Sequence, residues 1–148
     1  GDAFALQAIE YCKEVFMSVN MKSDQMREKL MVASYLGGCS IAASYVGLVH
    51  PFSAALSVVL GTHHGLANCI AMRAMQPYYP KCFEEFFSFV NSQNIYIKEG
   101  ICRNLPESKY IELINATIIH DKPLKNALGP NYRSILDNRT ITEIFKSM

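Results

Sequence analysis

Three of the four histidines lie in one stretch, Ala33 to Met72, together with five of the eight glycines. His50 and His64 each fall where a helix is expected to begin, and a neutral imidazole is a metal ligand. On one unbroken helix, residues fourteen apart would be separated by about 21 Å, at 1.5 Å per residue. A single metal ion needs both nitrogens at roughly 2.0–2.1 Å. The pair can therefore serve one ion only if the chain reverses between them, and Gly61-Thr62 supplies a break. Free N–H groups and the positive dipole end at a helix start disfavour a protonated ring there. On these grounds His50 and His64 are candidate ligands of one divalent metal. The alternative is that each is a hydrogen-bonding residue beside a helix break. Two ligands also fall short of the three that a catalytic zinc-type site takes, with a fourth position open.

The remaining reactive residues read more plainly. His63 adjoins His64 and cannot easily point the same way; it is either a substrate-facing catalytic group or plain surface. His120 ends a predicted helix beside Asp121, where C-terminal capping is the default role. Cys39 and Cys69 lie on small-residue helix faces and read as core. The five cysteines are scattered and form no CxxC pair, which points to a reduced, cytoplasmic protein. A net charge of +1 gives no footprint for nucleic acid or an acidic membrane surface. The nearly uncharged run from Leu30 to Arg73 is interrupted by Gly, Pro, Ser and His. Buried helices explain it better than a membrane span.

These residues need a helical frame. At 148 residues the chain is expected to form one all-α domain with a real core. Apolar spacing predicts an amphipathic helix over Asp2 to Met17, with Phe4, Ile9, Cys12, Val15 and Phe16 on one face. A second helix, capped by Ser23 or Asp24, is expected to stop at Gly37-Gly38, with small residues there allowing close helix approach. Pro51 fits a first helical turn and pushes His50 towards extended backbone. That helix should end at Gly61, and Thr62 should cap the next, which runs to Pro77. Beyond it come a helix with a core face of Phe83, Phe86, Phe87 and Phe89, a loop over Ile95 to Pro106, and a helix over Glu107 to His120. Asp121 to Asn138 reads as irregular. A last helix, capped by Thr140 with Glu143 three residues on, closes the chain.

The run Gly47-Leu48-Val49-His50, followed by His64-Gly65-Leu66-Ala67-Asn68 and preceded by MREKLMVASYLGG, resembles the iron-containing (group III) alcohol dehydrogenases. The likeness is to their helical C-terminal domain and covers at least residues 2 to 76. It implies an all-α, multi-helix domain of a two-domain dehydrogenase. It implies that His50 and His64 are two of four ligands to Fe2+ or Zn2+. The other two, an Asp and a His in D-x-x-x-H, would lie before residue 1, because the residue four after Asp2 is Leu6. So would the Rossmann-like domain that binds NAD(P), since no Gly-rich strand-turn-helix fingerprint occurs here. The chain is thus expected to be a C-terminal piece of a homo-oligomeric enzyme, inactive alone and a poor metal binder.

The family's second histidine, four after the first ligand, is Ala54 here, so proton relay passes to another group or to water, with His63 as a candidate. The tail, from Lys122 onward, looks closest to the branch that oxidises the 8-hydroxyl of 3-deoxy-D-manno-octulosonate (Kdo). That branch feeds 8-amino sugar and lipopolysaccharide synthesis. Lys122, Lys125 and Arg133 could attract a sugar-acid carboxylate, or simply be solvated. The rival readings are a dehydrogenase of the same family acting on another polyol or a short alcohol, and a helical interaction module without chemistry.

Overall fold

Nine α-helices and one short 3-10 turn account for the ordered elements, and no strand forms. A computed structural model describes residues 1–148 and bears out the all-α expectation. Contacts divide the chain into two compact units, Gly1–Val46 and Gly47–Met148.

The first unit is a helical hairpin of α1 (Asp2–Met17) and α2 (Asp24–Ser44). Ser23 caps α2 as expected, its hydroxyl accepting from the Met26 N–H at 3.4 Å. Small residues form the seam: Ala8, Val15 and Ala33 are its buried apolar side chains. Glu14 and Lys29 pair across it. The apolar face expected on α1 is largely uncovered, with Phe4, Ile9 and Phe16 at 44%, 50% and 42% exposure. Two helices share only one seam, and small side chains fill it.

The expected stop at Gly37-Gly38 does not occur. α2 runs through both glycines to Ser44 and ends at Tyr45, whose φ of 63° breaks the helix. A Cβ built on either glycine meets nothing within 4 Å, so close packing is not what accounts for them. Glycine lowers helix propensity without removing the N–H, so intact turns on both sides carry the helix through.

The second unit holds α3 (Val49–Leu60), α4 (His64–Met72) with the 3-10 turn Arg73–Met75, and α5 (Pro80–Ser92). It continues with α6 (Glu107–Ile118), α7 (Asp121–Leu128), α8 (Tyr132–Ile135) and α9 (Asn138–Lys146). α3 packs on α4 and α6, and α6 on α9. Phe52, Leu56, Ile70, Leu113, Leu124, Ile141 and Phe145 are buried where they meet. Each such side chain contributes roughly 1.5–3 kcal/mol through water exclusion. The Phe52 and Phe145 rings add a tilted contact at 5.3 Å between centroids, in the favoured aromatic range. The loop before α6 is tied down by Arg73, which donates to the Ile97 carbonyl at 2.6 Å and pairs with Glu99 at 2.8 Å. Met148 O accepts from the Gly100 N–H at 2.7 Å. All five cysteines are free, and burial pushes the Cys102 thiol up to about 11. It stays protonated and inert as a nucleophile. No single helix is long and apolar enough to cross a membrane.

Several local expectations change in this unit. His50 lies inside the first turn of α3, not in extended backbone, with Pro51 third in the helix where its missing N–H is not needed. Gly61 ends α3 as expected, in the left-handed conformation (φ 68°). His63, not Thr62, precedes α4. The supposedly irregular Asp121–Asn138 region contains α7 and α8, and Pro123 is absorbed as the third residue of α7. Asp137, not Thr140, caps α9, its carboxylate accepting from the Thr140 N–H at 2.7 Å.

Two stability outcomes follow from this packing. Gly37→Ala should stabilise the hairpin by up to about 1 kcal/mol, because the helical backbone is kept and the methyl meets nothing; a fall in the urea midpoint would contradict it. Phe145→Ala should cost about 3–5 kcal/mol through the cavity left against Phe52, read as a lower melting temperature.

Candidate metal centre

Three helix starts carry the histidines of the second unit that face one another. His50 is the second residue of α3, His64 the first of α4, and His120 immediately precedes α7. The reversal at Gly61 returns the chain so that the His50 and His64 ring centroids lie 5.1 Å apart, at 77°. Two imidazoles on one tetrahedral ion, with nitrogens at 2.0–2.1 Å, hold their centroids about 5.2 Å apart. The pair therefore has the ring-to-ring spacing that a single cation would need. The His120 ring also approaches His50, at 5.4 Å between centroids and 82°. As the rings stand, no three His, Cys, Asp or Glu side chains form a group ready to hold a metal ion.

Burial holds the His50 ring below the usual imidazole range, and repulsion from His64 and His120 adds to it. The neutral, metal-binding form is the one favoured. His50 and His120 are half-buried and His64 is exposed, so the cluster opens to solvent on the His64 side.

The backbone positions of these rings have identifiable supports. The buried Leu48 sends its N–H to the Tyr79 hydroxyl at 3.1 Å. This fixes the entrance to α3 two residues before His50. A Cβ on Gly47 would lie 3.2 Å from the same hydroxyl, tighter than ordinary contact. At the start of α7, Asp121 pairs with Lys125 at 2.7 Å and accepts from the Tyr132 hydroxyl at 3.1 Å. The Lys125 hydrogen bond is the main cause holding the Asp121 carboxyl below its usual range. These contacts secure the helix that begins at His120.

His63 goes elsewhere. It lines a shallow depression of about 430 Å³ with Thr62, Leu66, Lys98 and Ile101. Its Nδ1 sits 3.5 Å from where a Gly65 Cβ would stand. Ala54 lies one turn beyond His50 in α3 and is half-buried. Of the basic residues, Lys125 is engaged with Asp121, Arg133 lies over the Tyr132 ring at 5.3 Å, and Lys122 is exposed. The sequence reading assigned His120 to the end of the preceding helix, and the structure corrects this. Asp121 and Lys125 at i, i+4, with Pro123 between, are first-turn signals that would have placed His120 at a helix start.

Comparison with known proteins adds a family. Residues 1–108 match the model of the Fe-containing alcohol dehydrogenase family, C-terminal. The chain is 32% identical over 82 residues to the methanol:N,N-dimethyl-4-nitrosoaniline oxidoreductase of Mycobacterium sp. (strain DSM 3803 / JC1). That match takes in 55% of this chain and 19% of the relative. The proteins of the same name from Rhodococcus erythropolis and Amycolatopsis methanolica are 36% and 33% identical over 73 and 70 residues. Those matches take in 49% and 46% of this chain, and 16% of each relative. The chain thus spans less than a fifth of these relatives where it matches them.

The Tyr79 hydroxyl is the test of how the first imidazole is held. Tyr79→Phe leaves the Leu48 N–H without its partner, which should cost about 1–3 kcal/mol and show as faster amide exchange at Leu48 and His50. Unchanged exchange at both would remove the anchoring role.

Proposed function

The chain belongs to the Fe-containing alcohol dehydrogenase family, and from that membership we propose that His50 and His64 hold a divalent metal in an enzyme that oxidises an alcohol. The observation that carries this reading is the 5.1 Å separation of the two rings. They lie far apart in sequence, inside the matched stretch, and come to the spacing one ion requires. When bound, the metal held by His50 and His64 would supply Lewis acidity at the substrate hydroxyl, with NAD(P) as the hydride acceptor. The residues of this chain orient the two donor rings, and burial favours the neutral form of His50. The nicotinamide site belongs mainly to sequence outside these residues, which carry no phosphate-binding glycine fingerprint.

For the substrate, the relatives' name favours a short alcohol. The sugar-acid reading, with Kdo oxidised at its 8-hydroxyl, rests on the likeness of the tail from Lys122 onward. Against it, Lys125 is already engaged with Asp121, leaving Lys122 and Arg133 as the basic groups for a carboxylate. His63 is a proton-relay candidate only if substrate reaches the depression it lines.

The intact enzyme, assayed with NAD+ and NADP+ on methanol, short diols and Kdo, separates these substrates. His64→Ala should abolish its metal content by elemental analysis. Full metal occupancy in that variant would remove the assignment. The 148-residue chain by itself should transfer no hydride, and measurable oxidation by it would overturn that expectation.

A further inference from the structure

Most of the chain's large exposed apolar side chains belong to the hairpin Gly1–Val46, and helical spacing sorts them by side. Ala5, Ile9, Cys12 and Phe16 form one stripe along α1, at intervals of 4, 3 and 4. Leu30, Ser34, Gly37 and Ile41 form another along α2, at the same intervals. This is the spacing of helices that pack lengthwise on other helices.

Both stripes lie on one side of the hairpin. Around α1, Glu14 falls about a quarter turn from the seam residues Ala8 and Val15, and Ile9 and Phe16 fall about a quarter turn the other way. On α2, Lys29 lies to one side of the seam residue Ala33, and Leu30, Ser34 and Ile41 lie to the other. Glu14 and Lys29 pair across the hairpin, so they mark one broad side, and the two stripes occupy the opposite one. Neither stripe holds a charged residue. That side is open as well: Ile9, Leu30 and Ile41 are 50%, 44% and 53% exposed. A Cβ at Gly37 would meet nothing within 4 Å.

We propose that a second copy of this chain docks on that side, so that two hairpins form a four-helix bundle about a two-fold axis. The extent of the face suits this occupant. It is about two helix diameters wide, roughly 20 Å, and about 24 Å long, a footprint that approaches the roughly 800 Å² of accessible surface per partner in a stable interface. Its composition suits a copy of itself. A two-fold interface sets one patch against the same patch, and uncharged stripes meet without like-charge repulsion. The large Leu30 and Ile41 alternate with the small Ser34 and Gly37, so knobs of one copy find holes in the other. The hairpin by itself is a single layer of two helices, and an apolar helix face is stabilised by burial against another layer. No residue of this interface is a histidine, so the inference stands apart from the metal reading.

Sedimentation velocity of the 148-residue chain over a range of concentrations should show a dimer. Ile41→Glu should leave a monomer at concentrations where the parent is dimeric, with circular dichroism confirming its helices. Val32→Glu puts the same charge on the other side of α2, at a residue that is also exposed, and should keep the dimer. A measurement on the parent needs no variant. Alkylation of the half-buried Cys12, which lies in the α1 stripe, should slow as rising concentration forms the dimer, while the exposed Cys82 reacts at a constant rate. A monomeric parent overturns the proposal and assigns the face to sequence outside these residues or to a different protein. A dimer that survives Ile41→Glu, is lost equally in Val32→Glu, or leaves Cys12 as reactive as in the monomer overturns it too, because the contact then lies elsewhere.

Discussion

The left-handed turn at Gly61 (φ 68°) sends the chain back on itself, so that His64 faces His50 instead of lying far along one rod. An L-residue in that conformation costs roughly 1–2 kcal/mol. The obstacle is conformational and not steric, because a Cβ at Gly61 would meet nothing within 4 Å. The packing of α3 against α4 depends on the same turn, and with it the burial of Phe52, Leu56 and Ile70. One glycine thus links the core of the second unit to the geometry of its histidines. Tyr79, fastened to Leu48, secures the other end of α3.

Much of this was readable from local chemistry. The Gly61 stop and the first-turn proline at 51 are signals whose cause lies within a few residues, and both are found in the structure. So is the helix over Asp2–Met17. Gly37-Gly38 misled because glycine is a weak stop when strong helical turns flank it; α2 has enough of them to run on. Pro123 misled in the opposite direction. Proline ends a helix from the inside but is tolerated in a first turn, and only the position of the boundary distinguishes the two. His120 was hidden for a different reason. Its contact with His50 is long-range, and it falls outside the family-like stretch, so neither local pattern nor resemblance could reveal it. The uncovered apolar face of α1 has the same origin: spacing shows that a stripe exists, not what lies against it.

Helix dipoles dominate the electrostatics immediately around His50 and His64. Helix starts at α3, α4 and α7 place positive dipole ends beside the three rings. The His50 ring is held below the usual imidazole range, first by burial and then by repulsion from His64 and His120. The positive dipole ends also mean that a dication held there would lack compensating charge from these helices. An oxidised alcohol passes through a negatively charged oxygen, so the substrate itself would supply what the rings lack. This couples the donor set to the reaction proposed for it.

His50 and His64 stand on first turns, where the leading amides have no intrahelical partner. Those are the parts of a helix that fray most readily. The two donor rings are thus mounted on the softest backbone of otherwise firm helices, and capture of an ion would tighten both ends at once. Loading and unloading could then proceed by breathing at the tips while the buried Phe52 and Phe145 stay packed, so that the centre exchanges its guest without the body of the protein coming apart.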